Sequence, residues 1–276
     1  ESSLKKMTGP DILRFYRERY RPDRCLASVV GAIDKAKLEA LLQATLGRWK
    51  NPSTPAPALG LPPLPVPKGK TLLLVDKPDA TQAYFMLGAP GYAVADPVHP
   101  TASVMNTLFG GRFTSWLNTE LRIKRGLTYG AGSNFQTWKQ GGLFAISSYT
   151  KNDKIGEMLD ITLDLLGQAQ KKGFADKEVE SARNYILGLF PLSLEQNGDK
   201  AEAFVRLAFY GLGFDYYDGY LASVEKVTPP AAGQSAAKLL PKKDFVMVVV
   251  GKAAEIRPLL QKFGTFREKK ISDAGF

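Results

Sequence analysis

A short motif near the N-terminus returns 220 residues later, and this repeat most limits what the chain can fold into. Met7–Pro10 corresponds to Val227–Pro230, and the apolar segment Leu26–Gly31 corresponds to Val246–Gly251. Both apolar segments read as strands that end at glycine, and helical patterns flank each of them. The sequence therefore predicts a duplicated helix–strand–helix unit.

The two copies differ in the amount of chain that precedes them. A long run of predicted strands and helices precedes the second copy, whereas almost nothing precedes the first. A lone strand with two helices cannot form a stable sheet. We therefore expect polypeptide from elsewhere to complete the first unit, and we expect this chain to be the C-terminal portion of a longer product.

A proline-rich segment separates the two units. Seven prolines fall between Asn51 and Pro67. Proline fixes φ and removes a backbone donor, so neither a helix nor a central strand is expected there. The chain thus divides into residues 1–50, a linker over residues 51–69 and a second unit over residues 70–270. Hairpin-paired strands beside clustered helices favour the α+β class.

Local patterns predict the individual elements. In the first unit, Thr8 is expected to cap a helix with Asp11 as its capping-box partner, and Lys35–Arg48 to form a second helix. The second unit is predicted to contain strands at Lys70–Val75, Ala83–Ala89 and Phe245–Gly251, a hairpin of Leu127–Trp138 with Leu143–Tyr149, helices at Pro100–Phe109, Thr114–Arg125 and Ala254–Lys262, and a broken helical stretch over Asp153–Leu240.

The inventory of histidine and cysteine excludes a complete zinc centre in this chain. A catalytic zinc ion takes two or three nitrogen or sulfur ligands from the protein. The sole histidine, His99, and the sole cysteine, Cys25, are 74 residues apart and cannot supply them. His99 is expected to be a surface or capping residue, and Cys25 a small buried apolar one. Gly110-Gly111 fits no phosphate-binding pattern, so a flexible turn is expected there.

The net charge of +10 favours contact with polyanions, but the basic residues are spread along the chain. No zinc finger or RNA-recognition motif accompanies them. A nucleic-acid binder is therefore a hypothesis that rests on charge alone. No apolar run is long enough to cross a bilayer.

One segment, Leu108–Tyr149, carries a specific pattern. A glycine-rich turn is followed by a helix ending in Leu121–Lys124, and then by Gly126–Gly130 at the start of a strand. In this segment the chain resembles the M16 metallopeptidases, the pitrilysin/insulinase-like family, of M16B type. The resemblance covers nearly the whole chain, since it extends to Lys5–Trp49, Asp76–Gly91, Lys172–Gly188, Tyr220–Val227 and Phe245–Gly251.

The resemblance implies a LuxS/MPP-like metallohydrolase fold, in which helices pack on a sheet rich in antiparallel strands. Residues 1–50 would be the tail of a first homologous domain, and residues 70–270 a second, inactive domain. The family's zinc site uses a His-x-x-Glu-His helix of the first domain, and the matching segment near His99–Phe109 carries no such pattern. No metal ligand or catalytic residue is therefore assigned to this chain, and zinc is expected in a partner domain or subunit.

In the family, the second domain donates an Arg/Tyr pair, and the matching positions here are Arg122 and Tyr129. A guanidinium and a phenol hydroxyl can donate hydrogen bonds to a substrate carbonyl on which negative charge develops. Arg122 would lie at the end of a helix and Tyr129 on the following strand. Spacing alone favours an exposed arginine and a tyrosine packed by its ring, whereas the resemblance favours a substrate-binding pair.

The expected partners follow from the same resemblance. They are an extended peptide substrate and a homologous M16 subunit or domain that carries His-x-x-Glu-His, with a heterodimer as the form when that part is a separate subunit. The alternative is a peptidase-inactive homologue that serves as a scaffold subunit. Neither nucleic acid nor a membrane span is expected. A periplasmic location is expected, with the cytoplasm as the alternative.

Overall fold

The computed structural model describes residues 2–57 and 65–273, and this part of the chain forms two compact units. The first unit holds the described residues up to 57 together with Pro191–Phe214. The second unit holds the described residues from 65 to 190 and from 215 to 273.

The second unit is built on a six-stranded mixed sheet. The strands are β1 (Lys70–Asp76), β2 (Gln82–Pro90), β3 (Ala131–Trp138), β4 (Gly141–Lys151), β5 (Phe245–Gly251) and β6 (Arg267–Lys270). Their order in the described sheet is β3-β4-β2-β5-β1-β6. β1 runs parallel to β5 and to β6, and the other three neighbouring pairs are antiparallel. The predicted α+β class and antiparallel-rich sheet are confirmed.

Helices pack on one face of this sheet. They are α4 (His99–Asn106), α5 (Trp116–Asn118), α6 (Ile155–Lys172), α7 (Asp176–Leu189), α9 (Tyr216–Glu225), α10 (Pro229–Leu239) and α11 (Ala253–Leu260). Alternate strand residues, such as Phe85 and Leu87 of β2, join helix residues such as Met105 and Leu159 in one buried core. Burial of this apolar surface is the main force that holds the helices on the sheet. Leu117, Leu121 and Phe144 are fully buried, and Trp116 and Phe135 pack against this core.

The first unit contains no strand among its described residues. It consists of α1 (Ser2–Lys5), α2 (Gly9–Arg19), α3 (Lys35–Thr45) and α8 (Asn197–Tyr210), joined by loops and short 3₁₀ turns. The predicted cap of α2 is confirmed, since the backbone N–H and the hydroxyl of Thr8 donate to the Asp11 carboxylate at 3.1 and 2.6 Å. This arrangement satisfies a backbone donor outside the helix and places negative charge at its N-terminus.

The strand predicted at Leu26–Gly31 is wrong for the described structure. These residues form no ladder, because the described part of the first unit offers no neighbouring strand to accept and donate their backbone hydrogen bonds. Leu26 and Val29 are about half-exposed. Cys25 is also exposed and not buried as expected, since the same missing neighbours would have covered it.

The helices nevertheless preserve the repeat. α2 and α10 each contain 11 residues, and their bounds differ by 220 positions at both ends. A threonine, Thr8 or Thr228, occupies the N-cap in each copy, and proline follows in the first turn. In the second copy the strand is β5, which pairs with β1 on one side and β2 on the other.

The described parts of the proline-rich segment, residues 51–57 and 65–69, contain no helix or strand. Pro62 and Pro63 lie outside the described residues. Asn51 and Thr54 are held by the loop before them, because the backbone N–H of Asp23 donates to Asn51 Oδ1 at 3.0 Å and Arg21 donates to the Thr54 carbonyl at 2.9 Å. Residues 51–57 of this segment thus belong to the first unit.

Candidate functional site

Two π-helical turns shape the segment that carries the predicted site. α4 continues into a wide turn over Thr107–Gly111, and α5 continues into a second one over Thr119–Lys124. The sequence predicted ordinary α-helices at both places, so their positions are confirmed and their geometry is corrected. π-turns insert an extra residue per turn and are frequent at functional sites.

Gly110 is part of the first wide turn and not of a flexible one, which corrects the expectation for Gly110-Gly111. Gly110 is buried, and a Cβ atom at this position would lie 2.4 Å from the backbone nitrogen of Ser133. Ser133 is fixed in turn by Asn106, whose amide donates to the Ser133 carbonyl at 3.1 Å and accepts from its hydroxyl at 2.7 Å. Only glycine lets the first turn pack this closely on β3.

Asn118 joins the second wide turn to the start of β3. Its side chain is 4% exposed. Its Nδ2 donates to the Phe113 carbonyl at 2.7 Å, and its Oδ1 accepts from the backbone N–H of Ala131 at 3.3 Å. The oxygen and the nitrogen of the buried amide thus link the backbone at Phe113 and at Ala131 to the helical segment that contains Asn118. Sequence reasoning missed this residue and Asn106, since a single polar residue in a helical pattern gives no sign of its partner.

Arg122 was predicted at the end of an α-helix, and it lies in the second wide turn. Its guanidinium carbon is 4.8 Å from the centre of the Phe113 ring, a cation–π distance. The neighbouring cations share one carboxylate, because Glu120 forms ion pairs with both Lys124 and Arg125. The side chains of Lys124 and Arg125 are exposed and paired. No carboxylate of the described residues pairs with Arg122, so its guanidinium donors are available to a ligand.

Tyr129 lies two residues before β3 and not on the strand itself, which corrects the prediction. Its side chain is 80% exposed, so it is not packed by its ring. The residues on both sides are held firmly. The hydroxyl of Ser148 donates to the Gly130 carbonyl at 2.9 Å, and the hydroxyl of Thr150 donates to the Leu127 carbonyl at 2.7 Å. Tyr129 therefore projects into solvent from a well-anchored backbone.

The connection between the two residues folds back on the wide turn. The backbone N–H of Gly126 donates to the Arg122 carbonyl at 3.0 Å, and that of Leu127 donates to the Leu121 carbonyl at 2.8 Å. Gly126 has φ +61°, a value that glycine adopts at low cost. No hydrogen bond joins the side chains of Arg122 and Tyr129 within the described residues. Both side chains are free hydrogen-bond donors, and donors of this kind suit a carbonyl or an anion.

The described residues do not fit a zinc ion. Within residues 2–57 and 65–273, no three His, Cys, Asp or Glu side chains lie close enough to share a metal. His99 was expected to be a surface or capping residue. It is the first residue of α4 and is partly buried, and the centre of its ring lies 5.7 and 5.1 Å from those of Tyr92 and Tyr220. Burial lowers the pKa of His99, and the Val94 carbonyl and Asp96 oppose that shift without cancelling it. His99 is thus a partly buried residue packed between aromatic rings, and it belongs to no group of three metal ligands among the described residues.

Comparison with known proteins agrees with this fold. The family model of the peptidase M16 inactive domain matches residues 6–186. The chain therefore belongs to the peptidase M16 family and is a C-terminal inactive domain of these zinc proteases.

Individual relatives place the chain in a longer context. It is 27% identical to an "uncharacterized zinc protease" of Streptomyces coelicolor over 98% of the chain and 56% of that relative. A solved "peptidase M16 inactive domain" from Pseudomonas fluorescens superposes with a TM-score of 0.81 at 24% identity, over 98% of this chain and 60% of the other. A chain of Complex III2 from Candida albicans superposes with a TM-score of 0.69 at 13% identity, over 96% and 64%.

The chain thus spans somewhat more than half the length of these proteins. The likeness to the solved structures shows a shared fold. None of the helices in the described ranges is long and apolar enough to cross a bilayer.

Proposed function

We propose that this chain supplies Arg122 and Tyr129 to a zinc site for peptide-bond hydrolysis that another domain or subunit carries. The observation behind the proposal is the contrast between free side chains and a fixed backbone. Arg122 has no carboxylate partner among the described residues, and Tyr129 is 80% exposed between two anchored neighbours. Solvent-accessible donors held this way are preorganised for a ligand.

Peptide hydrolysis gives such donors a role. Negative charge develops on the oxygen of the scissile carbonyl as water adds to its carbon, and a donor already in place stabilises that oxygen. The Arg122 guanidinium and the Tyr129 hydroxyl are donors of the required kind, and they can bind either that oxygen or the next carbonyl of the peptide. In this proposal the chain binds and orients the substrate without breaking a bond itself.

The partner is a homologous M16 domain or subunit with a His-x-x-Glu-His helix. The relatives are zinc proteases longer than this chain, which supports such a part elsewhere in the same protein or in a heterodimer. We also propose that residues 1–50 complete a first homologous domain, with residues 51–69 as linker and 70–270 as the second domain. Leu26–Gly31 would then gain neighbours equivalent to β1 and β2. A periplasmic location belongs to the same proposal, and cell fractionation tests it.

The proposal is tested in the full-length protein purified with any partner that accompanies it. Arg122→Ala or Tyr129→Phe is expected to lower kcat/KM for a peptide by about 10²–10³, as for loss of one oxyanion donor. Lys124→Ala is the control for Arg122, because it removes a neighbouring cation that is already paired with Glu120. Tyr185→Phe is the control for Tyr129, since it removes a hydroxyl from another partly exposed tyrosine. Unchanged turnover in both site variants, with assembly intact, would refute the role.

The alternative function is a scaffold subunit without peptidase activity. The structural likeness to a chain of Complex III2 favours it, whereas the free donors of Arg122 and Tyr129 have no evident use in a scaffold. Affinity purification of the tagged full-length protein separates the two. A zinc-bearing M16 partner supports the peptidase role, and a stable complex without one supports the scaffold.

A further inference from the structure

The face of the sheet that the helices leave open is apolar. Tyr84 and Met86 of β2 are each 52% exposed. Beside them, Val248 and Val250 of β5 and Tyr149 of β4 are partly exposed. A sheet with one wet face usually carries polar side chains there. A contiguous apolar patch in water marks a binding surface.

These residues line a groove of about 620 Å³. The rings of Tyr84 and Tyr149 stack at 5.2 Å and form an aromatic wall. Met86, Val248 and Val250 add aliphatic surface, and no charged side chain of the described residues lines the groove. The chain as a whole carries 37 Lys and Arg and 27 Asp and Glu. The groove is therefore an uncharged region of a protein whose net charge is +10.

The groove begins at the candidate site. Gly130 lines its end, directly after Tyr129 in the chain. Ser148 also lines the groove and holds the Gly130 carbonyl at 2.9 Å, so the same hydrogen bond fixes the groove and the backbone of Tyr129. Gly130–Gly132 present almost no side chain to the groove, and Tyr129 directly precedes them in the chain.

We propose that the groove receives an aliphatic or aromatic side chain of the peptide that Arg122 and Tyr129 bind, and that it sets an apolar preference of the enzyme. This inference rests on the proposed function, because it assigns the substrate class of the same site. A charged side chain is a poor occupant, since burial without a partner of opposite charge is costly. An apolar side chain loses water at no such cost, and a single apolar pocket is expected to favour it by about tenfold or more in kcat/KM.

The test uses the full-length protein with its partner and a series of peptides. One leucine replaces serine at successive positions on both sides of the cleaved bond. At one position, leucine is expected to raise kcat/KM by about tenfold or more over serine. Met86→Glu places a carboxylate in the groove and is expected to remove most of that preference. Tyr84→Ser, which removes one ring of the aromatic wall, is expected to reduce it in the same direction.

Ile271→Glu is the matched control. Ile271 is also 52% exposed, and it does not line the groove. The preference is expected to survive in this variant. The inference is overturned if no position prefers leucine, or if Met86→Glu and Ile271→Glu have equal effects. It is also overturned if Met86→Glu abolishes self-association in sedimentation and leaves the preference intact, because the groove would then receive a second copy of the chain.

The result separates this inference from the proposed function. Arg122→Ala is expected to lower turnover of all peptides by one factor and to leave the leucine-to-serine ratio unchanged. If Met86→Glu removes the preference but Arg122→Ala and Tyr129→Phe have no effect, the result supports the groove assignment and refutes the role of the donor pair. If Arg122→Ala and Tyr129→Phe lower turnover but no leucine preference exists, only the groove assignment is refuted.

Discussion

Replacing Gly110 with alanine should destabilise the second unit, because the first π-helical turn is packed against β3 without room for a Cβ atom. That atom would lie 2.4 Å from both the backbone nitrogen and the Oγ of Ser133, and 2.8 Å from a methyl group of Leu117. Ordinary contact begins near 3.4 Å, so the two segments would have to separate by about 1 Å. Side-chain rotation cannot relieve a clash with backbone.

The surroundings resist that separation. Ser133 is paired with Ile146 in the β3–β4 ladder, and Asn106 holds its carbonyl and its hydroxyl. Overpacking of a rigid site costs about 1–3 kcal/mol of unfolding free energy. In a domain of 150–250 residues, each kcal/mol lowers Tm by about 2–4 °C. We therefore expect Gly110→Ala to lower Tm by several degrees.

The assay is thermal and urea unfolding of the wild type, Gly110→Ala and a control, Gly167→Ala. Gly167 lies within α6, and no atom lies within 4 Å of its Cβ position. Alanine there should raise stability by about 0.5–1 kcal/mol, because it favours the helix over the unfolded chain. A Gly110→Ala protein as stable as the wild type would refute the close packing of the π-turn on β3.

Two further predictions concern single side chains. His99→Gln should reduce the loss of stability on acidification. The pKa of His99 is lowered in the folded state, so the unfolded chain binds the proton first as the pH falls. The stability that is present above about pH 6.5 is therefore lost as the pH falls towards the folded pKa. Urea unfolding from pH 7.5 to 5 measures the slope, and equal slopes in the two proteins would contradict the burial of His99. Ser148→Ala should lower the free energy of unfolding by about 1 kcal/mol and speed hydrogen exchange at Gly130, because the buried hydroxyl that donates to the Gly130 carbonyl is lost. Ser147→Ala is the control, since it removes an exposed hydroxyl and should leave exchange unchanged.

Much of the fold was predictable because the second unit follows local rules. Alternating and continuous apolar runs identified β1, β2 and β5, and glycine marked the turn between β3 and β4. Leu26–Gly31 has the same pattern and forms no strand, because pairing depends on neighbours that local sequence cannot reveal. β6 was missed for the opposite reason. Arg267–Lys270 consists of charged residues, and only its position beside β1 makes it a strand.

The candidate site was predictable in its residues and not in its geometry. The family pattern identified Arg122 and Tyr129, but a 3.6-residue period cannot reveal a π-turn, and the start of β3 was placed too early. One feature of the sequence could have indicated the groove. Residues 83–87 are apolar throughout, although Tyr84 and Met86 point away from the core. In an antiparallel strand with one open face, a run of this kind indicates that the open face binds something.

The central claim is that this chain completes a peptide-hydrolysing site carried elsewhere. The most direct measurement is the rate of peptide hydrolysis by the zinc-bearing domain or subunit, with increasing amounts of this chain added. We predict that the rate rises to saturation as the wild-type chain is added. With a chain that carries both Arg122→Ala and Tyr129→Phe and binds the partner equally well, we predict a rise in rate that is smaller by a factor of about 10² or more. Equal stimulation by the two chains would contradict the account, and so would full activity of the zinc-bearing part alone.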